Sequence, residues 1–495
     1  MPVRPVELHG PGRNHGRGAR PAATGRTGMT DDGDQVTDAL TDTTATSNTP
    51  PTSAEDVEIP SVTIEHTERK TATAHSKSVP MFAALKEYNY RLYFTGQVIS
   101  NTGTWMQRIA QDWLVLQLTN SPFAVGITTA LQFLPVLLFG VLGGLAIDRF
   151  PKRTILVVTQ AIMGALATVL AVLTLTGAVT VWHVDAVAFA LGLVTVVDNP
   201  TRQVFVNEMV SPRLVRNAVS LNTATFQLAR LVGPAVAGLL IAATGSGIAF
   251  AINAASYAAT IVALLAMRKD LLHHLPLASR ERGQLREGFR YVAARPQILW
   301  IIVMVFFIGT FGYNFSVFLS AYAKDTFHTS ASVYGLLNTA LAIGSLLGAA
   351  LAARRSSARL GFLFAVAAAF SGLMIVLSVT PWLLAFMALL AVCGLASTSF
   401  STTANASVQL ASDPKVRGRV MSLYMMVFMG GTPVGGPVSG WLADRFGAPA
   451  AMMICGGICL IATIVSALIA AHQSGIRPRL DLHTHVDRHL VLVRR

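Results

Sequence analysis

The chain has 495 residues, of which 52% are hydrophobic and only 13% are charged, and its formal net charge is +13 at neutral pH. So few charged residues do not suffice to cover the surface of a soluble protein of this length, which excludes an ordinary soluble globular protein. The excess of Lys and Arg lies in short segments between apolar blocks, and this placement argues against a nucleic-acid-binding surface.

Residues 1–80 differ in composition from the rest of the chain. They are rich in Thr, Ser, Pro, Gly, Asp and Arg, and a stretch such as 41–52 has almost nothing to bury. This composition predicts a disordered tail. The tail has no apolar block of the kind that a cleaved signal peptide needs, so none is predicted, and Met29 and Met81 are alternative starts of translation.

Twelve apolar blocks follow the tail and predict an all-α integral membrane protein. Each is about as long as the ~20 residues that a helix needs to cross a bilayer. A spanning segment has to satisfy its own backbone hydrogen bonds, so helices are expected. The predicted spans are 91–117, 123–147, 154–177, 181–205, 217–243, 247–267, 298–322, 332–353, 359–379, 382–406, 418–443 and 449–471.

Lys and Arg concentrate in alternate connections between these spans, and the other connections carry few of them. By the positive-inside rule, the basic connections and both termini are expected in the cytoplasm, with the protein in the inner (plasma) membrane. The longest basic connection, 268–297, has Leu285, Phe289 and Val292 at helical spacing, which predicts an amphipathic helix on the membrane face.

That connection divides the spans into six plus six, and the two halves are related in sequence. Segment 211–221 (SPRLVRNAVSL) is matched by segment 413–423 (DPKVRGRVMSL), and each runs on to a Gly-Pro pair. Such a repeat is typical of transporters that rock two halves about a central site. The predicted organisation is a tail at 1–80, a six-helix bundle at 81–267, a cytoplasmic linker at 268–297, a second six-helix bundle at 298–472 and a cytoplasmic C-terminal tail at 473–495.

Two charged residues lie one helical turn apart in the first predicted span. Arg108 and Asp112 share a helix face and can form an ion pair, and charges inside a bilayer are costly enough to be functional candidates. An apolar setting favours the protonated form of Asp112, and the charge of Arg108 favours its carboxylate, so a change in their separation would drive uptake or release of a proton. The alternative is a fixed structural pair near the outer end of the span.

Further polar, soft and aromatic side chains inside the spans are candidates for a substrate cavity, with ordinary packing or lipid contact as the alternative. Asn101 and Gln111 extend the polar face of the first span, and Arg230 near the middle of the fifth span would meet either an anionic substrate or a carboxylate. Soft and aromatic side chains suit variable amphipathic ligands. The candidates are Asn101, Gln111, Gln227, Arg230, Phe311, Asn314 and Met425.

The connection between the second and third spans, GLAIDRFPKR (144–153), is the strongest local motif. Gly144 allows close approach of helices, and Asp148 at the end of a span can pair with basic residues or with the N-terminus of a neighbouring helix. Arg149 and Arg153 are the nearest arginines. The alternative is a basic anchor at the membrane surface with an incidental aspartate.

This motif resembles the loop signature of the major facilitator superfamily, with Pro151 in the place of the usual second glycine. Segments 89–122, 198–203 and 230–234 resemble the enterobactin-exporter-like drug:proton antiporters, the transmembrane secretion effector family. The resemblance covers about residues 81–472. It implies the major facilitator fold, with two pseudo-symmetric six-helix bundles, and export of drugs, siderophores or other small amphipathic metabolites.

The resemblance also assigns a charge network. Asp198 and Arg202, toward the cytoplasmic end of the fourth span, would belong to a network that latches the outward-open form. Its other members would be Gly144, Asp148, Arg149 and Arg153. A substrate-binding role for Asp198 is the alternative.

A glycine-rich motif of antiporters is matched in the fifth span by Gly233, Pro234 and Gly238, with Ala229 and Ala237 in the places of two further glycines. From the residues alone, the proline frees a backbone carbonyl group and the glycines allow a bend, so this helix is deformable there. An inert kink is the alternative.

The sequence thus predicts a secondary transporter that exports small amphipathic molecules by proton antiport with alternating access. Its partners would be a small-molecule substrate, protons and the lipid bilayer, without nucleic acid, and the protein would act as a monomer. No phosphate-binding loop, metal-ligand pattern or catalytic constellation is present, so an enzyme, a cofactor and a metal are not expected. The alternatives are a proton symporter or uniporter that imports a small metabolite, and a non-transporting membrane receptor or scaffold.

Overall fold

The computed structural model describes residues 80–273, 284–353, 360–414, 416–473, 476–479 and 491–494, with the backbone alone for 141–149, 284–287, 353 and the last two segments. A short 3₁₀ turn and six long helices make up the first half. They are the turn Ala83–Lys86 and helices α1 (Tyr88–Thr119), α2 (Pro122–Arg149), α3 (Lys152–Leu175), α4 (Val181–Glu208), α5 (Val215–Thr244) and α6 (Ser246–Leu265).

The second half contains shorter pieces, because its first predicted span is interrupted by two π-helical turns, Ile308–Gly312 and Tyr322–Thr326. A two-stranded antiparallel sheet follows the last helix. The elements are α7 (Gln284–Ala293), α8 (Pro296–Phe307), α9 (Phe315–Ala321), α10 (Ala331–Ala353), α11 (Leu360–Ser378), α12 (Leu383–Ala411), α13 (Arg417–Gly430), α14 (Thr432–Gln473), β1 (Ile476–Arg479) and β2 (Val491–Arg494).

Among the described residues, ten helical segments are long and apolar enough to cross a membrane. Two further spans were predicted. Helix α1 is long enough but carries Arg108, Asp112 and several amides. The segment Arg417–Gln473 counts once, although Gly447 at φ +85° breaks its last helix. The all-α membrane class is confirmed, and the number twelve stays a prediction.

Turn-forming residues set the ends of the helices. The side chain of Ser121 accepts a hydrogen bond from the backbone nitrogen of Ala124 (3.2 Å), and with Pro122 in the first turn it caps the start of α2. Gly177 after α3 and Gly245 between α5 and α6 adopt φ angles of +74° and +82°. Glycine adopts such angles without strain, so the chain can turn back at both places.

The two halves meet along two lines of contact, α2 with α14 and α5 with α10. Within the first half α1 packs against α5 and α6, and within the second half α12 packs against α10 and α11. Helices α2 and α10 hold the second predicted span of each half, and α5 and α14 hold the Gly-Pro pairs. The two lines are therefore equivalent when the halves are exchanged, which agrees with the internal repeat.

Glycines bring the backbones of the two halves into direct contact. A Cβ atom on Gly126 would lie 2.3 Å from the carbonyl oxygen of Gly436, and one on Gly335 would lie 2.4 Å from that of Pro234. A larger residue cannot fit at such distances without displacing a helix. These contacts lie toward the end of the molecule that holds the α1–α2 turn (119–121), which we name the closed end.

Helix α7 lies within the linker, where an amphipathic helix is predicted, with Val292 buried and Phe289 exposed. Tyr291 donates a hydrogen bond to Asp413 (3.0 Å), and Arg295 forms an ion pair with the same carboxylate (2.8 Å). These hydrogen bonds, from Tyr291 first and then Arg295, hold the pKa of Asp413 below its ordinary value. The carboxylate thus stays charged at neutral pH and connects the linker to the α12–α13 turn.

Candidate functional site

A polar cavity of about 830 Å³ lies among the helices of the first half. It is lined by residues of α1, α2, α4, α5 and α6, by Met163 of α3 and by Met429 of α13. Amides dominate its polar wall: Gln97, Asn101, Gln107, Gln111, Gln132, Asn199, Gln203, Asn207 and Asn222. Four aromatic rings also line it: Trp105, Phe133, Phe226 and Tyr257. Amides both donate and accept, so this wall can bind many oxygen- and nitrogen-bearing molecules.

The cavity extends away from the closed end. Its lining includes Gln97 near the start of α1, Asn207 at the last turn of α4 and Val219 in the first turns of α5. These helix ends lie opposite the α1–α2 turn, and we name this side the open end. In this conformation, access to the cavity is from the open end, and the backbone contacts between the halves shut the closed end.

Charged side chains of the second half stabilise the α1–α2 turn from both sides. Asp444 accepts a hydrogen bond from the hydroxyl group of Ser121 at the start of α2 (2.6 Å). Lys324 donates to the carbonyl oxygen of Leu116 at the end of α1 (2.9 Å) and to the side chain of Asn120. A carboxylate at a helix N-terminus and an ammonium group at a helix C-terminus both match the helix dipole. These contacts therefore favour the closed end.

Asp112 contacts the second half of the molecule. Its side chain is 9% exposed, and its Oδ2 atom accepts a hydrogen bond from the hydroxyl group of Tyr334 in α10 (3.1 Å). The ring of Tyr334 is fully buried and stacks on Trp113, with ring centroids 5.9 Å apart. The carboxyl group predicted to carry a proton thus takes part in the contact between the halves.

Arg108 faces the cavity instead of pairing with Asp112. In the described part of the chain no ion pair joins the two, although their spacing allows one. The guanidinium group lies over the rings of Trp105 (4.9 Å) and Phe133 (5.8 Å), and its Nε atom is buried without a hydrogen-bond partner. Because a buried unpaired donor is costly, Arg108 is available to a ligand in the cavity.

Asp198 is buried in a polar network at the cavity wall. It is 2% exposed, forms an ion pair with Arg202 and accepts hydrogen bonds from Thr159 (2.7 Å) and Gln160 (3.0 Å). Arg202 also donates to Gln97 of α1. The pair predicted from the sequence therefore connects α1, α3 and α4, and both of its members line the cavity.

Only part of the predicted charge network can be located. Three members lie where the structure describes the backbone alone: Gly144, Asp148 and Arg149. Arg153 donates hydrogen bonds to the carbonyl oxygens of Leu264 (2.6 Å) and Leu265 (2.9 Å) at the end of α6. A latch that includes Asp198 and these residues stays a prediction.

Two of the predicted cavity residues, Asn101 and Gln111, line the cavity. Arg230 lies behind the wall, 5.8 Å from the ring of Trp105. The other candidates are not among the described residues that line it: Gln227, Phe311, Asn314 and Met425. Asn314 instead donates to the hydroxyl group of Ser439 (3.0 Å) and so joins the start of α9 to α14 within the second half.

The predicted antiporter motif lies where α5 passes α1 and α10. A Cβ atom on Gly233 would lie 2.6 Å from the Cβ atom of Trp105, and one on Gly238 would lie 2.9 Å from the carbonyl oxygen of Ala331. These glycines therefore position both a cavity aromatic and the contact between the halves. Bending at Pro234 stays a prediction.

Three residues around the site carry no strong signal in the sequence. Tyr334 lies in the apolar helix α10, where a polar residue resembles packing, and Gln97 is one of several amides in α1. Glu208 is 7% exposed and pairs with Lys152 (2.9 Å), which joins the end of α4 to the start of α3. In the sequence, the pair of Glu208 with Lys152 is indicated only by the position of Glu208 at the end of a span that adjoins a basic connection.

Two related sets of membrane-crossing helices around a polar cavity define a multi-pass membrane transporter. The chain belongs to the transmembrane secretion effector family of the major facilitator superfamily, whose sequence profile matches residues 79–485. Members of this superfamily are transporters and not enzymes.

Curated relatives are similar to this chain over nearly their whole length. The staphyloferrin A transporter of Staphylococcus aureus is 23% identical, over 76% of this chain and 94% of the relative. The multidrug efflux pump Tap of Mycolicibacterium fortuitum is 26% identical, over 75% and 93%. The macrolide efflux protein A of Streptococcus pyogenes is 24% identical, over 78% and 97%.

Solved structures share the fold. The nucleoside transporter NupG aligns with a TM-score of 0.60 at 15% identity, over 78% of this chain and 99% of that chain. A bacterial homologue of the human lysosomal transporter Spinster aligns with a TM-score of 0.60 at 15% identity, over 78% and 96%. At such identities the likeness shows the fold alone, which is that of major facilitator transporters.

Proposed function

We propose that this transporter exports small amphipathic molecules, such as drugs, siderophores or secondary metabolites, by proton antiport with alternating access. The observation that carries the proposal is the position of Asp112. Its carboxyl group is buried beside a polar cavity, and it accepts a hydrogen bond from the other half of the molecule. A proton carrier has to sense the arrangement of the two halves, and Asp112 is placed to do so. Relatives named as efflux pumps support the direction.

The distribution of Lys and Arg supports an orientation in which the open end faces the cytoplasm. Both termini would then be cytoplasmic, and the conformation described above would be the inward-facing one. A substrate would enter the cavity from the cytoplasm or from the inner leaflet. The closed end would face the outside and release the substrate after the halves rock.

The cycle would use the proton gradient through Asp112. In the outward-open state the contact with Tyr334 is broken, and the carboxyl group takes a proton from outside. The return to the inward-open state places it beside the cytoplasmic cavity, where it releases the proton. Loading of the substrate then favours the next outward movement, so one proton enters as a substrate leaves.

The cavity supports an amphipathic substrate class. Its volume falls within the range of roughly 300–1,000 Å³ that is usual for sites of drug-sized ligands. The rings of Trp105, Phe133 and Phe226 offer apolar faces, and the amides and Arg108 offer hydrogen bonds. The proposed working unit is a monomer.

The test is efflux of a panel of fluorescent dyes and antibiotics from cells that express the wild type or Asp112→Asn, with and without an uncoupler. We expect the wild type to lower accumulation and the uncoupler to abolish that effect. Asn cannot exchange a proton, so the substitution should reduce efflux roughly tenfold or more at equal membrane abundance.

Asp185→Asn is the matched control. Asp185 is also 9% exposed and accepts a hydrogen bond from Thr128 (2.6 Å), but Thr128 belongs to the same half, so this bond does not join the two halves. It should keep efflux close to the wild type. If Asp112→Asn shows uncoupler-sensitive efflux at the wild-type rate, the proton site lies elsewhere. If efflux by the wild type is unchanged by the uncoupler, the proposal of proton antiport is wrong.

A further inference from the structure

We propose that Tyr334 is a positioning residue that makes the closure of the two halves depend on the protonation of Asp112, and that it thereby prevents proton leak through the empty carrier. This inference rests on the proton antiport proposed above. It adds a residue from the second half to a proton site that otherwise lies in the first half.

The hydroxyl group of Tyr334 has one proton and two acceptors, one in each half of the molecule. Oδ2 of Asp112 lies 3.1 Å away in the first half, and the carbonyl oxygen of Ser316 lies 3.5 Å away in the second half. The ring itself is held in place, because it is fully buried and stacked on Trp113. The next residue, Gly335, is in backbone contact with α5. The hydroxyl proton can therefore rotate between the acceptors while the ring stays fixed.

The charge of Asp112 decides which acceptor is preferred. A hydrogen bond to a carboxylate is roughly twice as strong as one between neutral groups. When Asp112 is ionised, Tyr334 donates to it, and a strong hydrogen bond joins α1 to α10 across the halves. When Asp112 is protonated, that bond becomes a neutral one, and the hydroxyl proton can turn to Ser316 in its own half.

Other charged or titratable groups lie around this pair. Arg108 lies one turn earlier on α1, and Arg230 of α5 lies on the same Trp105 ring. Tyr257 of α6 is hydrogen-bonded to Thr104 (3.3 Å), and Lys324 reaches the carbonyl oxygen of Leu116, one turn beyond Asp112. Arginine, lysine and tyrosine ordinarily titrate near pH 10 or above. Among these groups, Asp112 is thus the one whose charge a proton gradient can change.

The consequence concerns the inward-facing carrier after it has released its proton. Ionised Asp112 holds the closed end shut through Tyr334, so the empty carrier does not return outward. A bound substrate offsets the loss of this hydrogen bond by its own contacts in the cavity. Without the Tyr334 hydroxyl group, the empty deprotonated carrier could cycle and carry a proton inward each time.

The experiment uses the full-length protein in liposomes that contain a pH-sensitive dye, with an imposed pH gradient and no substrate. We expect Tyr334→Phe to admit protons about tenfold faster than the wild type, since it lacks the charge-assisted bond. Tyr322→Phe is the matched control. Tyr322 lies in the same half and is 1% exposed, and its hydroxyl group has no hydrogen-bond partner in the described part of the chain. It should leak no more than the wild type.

A second readout follows the closed end directly. Ala331 is 2% exposed between the halves, and the three native cysteines are buried. Maleimides react with the thiolate, so the rate for Ala331→Cys in the purified protein is divided at each pH by the rate for free cysteine. This relative rate should rise as the pH falls through the titration of Asp112. Added Tyr334→Phe should make the relative rate high and nearly independent of pH, and added Tyr322→Phe should leave its pH profile unchanged.

Two outcomes would overturn the proposal, and they can be told apart. If wild-type liposomes move ethidium without any proton flux, proton antiport fails and this inference fails with it. If proton-coupled ethidium transport is present but Tyr334→Phe keeps the wild-type leak and the wild-type pH profile, the inference alone fails. We expect Tyr334→Phe to leak protons and still transport ethidium, with fewer ethidium molecules moved per proton than in the wild type.

Discussion

The buried ion pair of Asp198 and Arg202 is completed by neutral polar side chains. Asp198 pairs with Arg202 but also accepts hydrogen bonds from Thr159 and Gln160, and Arg202 reaches Gln97. An ion pair in an apolar setting recovers the cost of desolvation only when its remaining hydrogen bonds are made. The sequence predicts the pairing of Asp198 with Arg202 from their spacing on one helix. It does not predict the amides and the hydroxyl group that complete the network, because these come from other helices.

Asp198→Asn tests this network at the level of one residue. The substitution leaves Arg202 buried without its carboxylate, with 16% of its side chain exposed. Breaking a buried pair costs about 3–5 kcal/mol, and contact with the cavity should reduce this to about 2 kcal/mol. The midpoint of thermal unfolding of the purified protein measures the loss.

The double variant Asp198→Asn with Arg202→Gln serves as the control for that experiment. Removal of both charges should restore part of the lost stability, because no unpaired charge is then buried. If the single variant is as stable as the wild type, the pair is solvated through the cavity. If the loss of stability in the double variant exceeds the summed losses of Asp198→Asn and Arg202→Gln, the pair has a further role.

The bounds of the helices agree closely with the spans predicted from the sequence, except where contacts between helices interrupt or extend a helix. The predicted span 298–322 is interrupted at Ile308–Gly312, although it contains no proline. A Cβ atom on Gly435 would lie 1.6 Å from the carbonyl oxygen of Thr310, so α14 presses directly on this turn. Lys324 is another such case. As a basic residue at the end predicted to face outside, it departs from the positive-inside pattern, and its contact with α1 supplies a reason.

The two charged contacts on the α1–α2 turn give a prediction about these elements. Lys324→Gln and Asp444→Asn each remove a charge that matches a helix dipole, an effect worth about 0.3–1 kcal/mol. Each substitution should therefore raise the fraction of molecules in which the closed end has opened by up to about fivefold. The double variant should raise it by the product of the two single effects. Distances between spin labels on the two halves, near the closed end, measure this population.

Arg445→Gln is the neutralising control for these variants, because Arg445 is exposed next to Asp444. It changes the surface charge at the same place and should leave the distances unchanged. If the double variant opens no more than this control, the contacts are incidental and the glycine contacts alone hold the closed end.

The internal repeat predicts the symmetry of the whole molecule but not its conformation. The lines of contact α2–α14 and α5–α10 follow from the repeat, whereas the closure of one end does not. Under the alternating access proposed above, the same sequence encodes both an inward-open and an outward-open state, and two such states differ by only a few kcal/mol. This explains the outcome for Phe311, Asn314 and Met425, which do not line the cavity here. Residues of the second half would be expected to enter the site in another state.

Alternating access requires the closed end to open during each cycle, so a cross-link across it should stop transport. Ser121 and Asp444 are in direct contact at 2.6 Å and come from different halves. In a variant with Ser121→Cys and Asp444→Cys, a short bis-methanethiosulfonate cross-linker, which attaches to each thiol through a disulfide bond, should abolish dye efflux, and a reducing agent should restore it. Either cysteine alone should be unaffected by the reagent. Full transport by the cross-linked protein would mean that the halves do not separate at this end, and the substrate would then have to leave by another route.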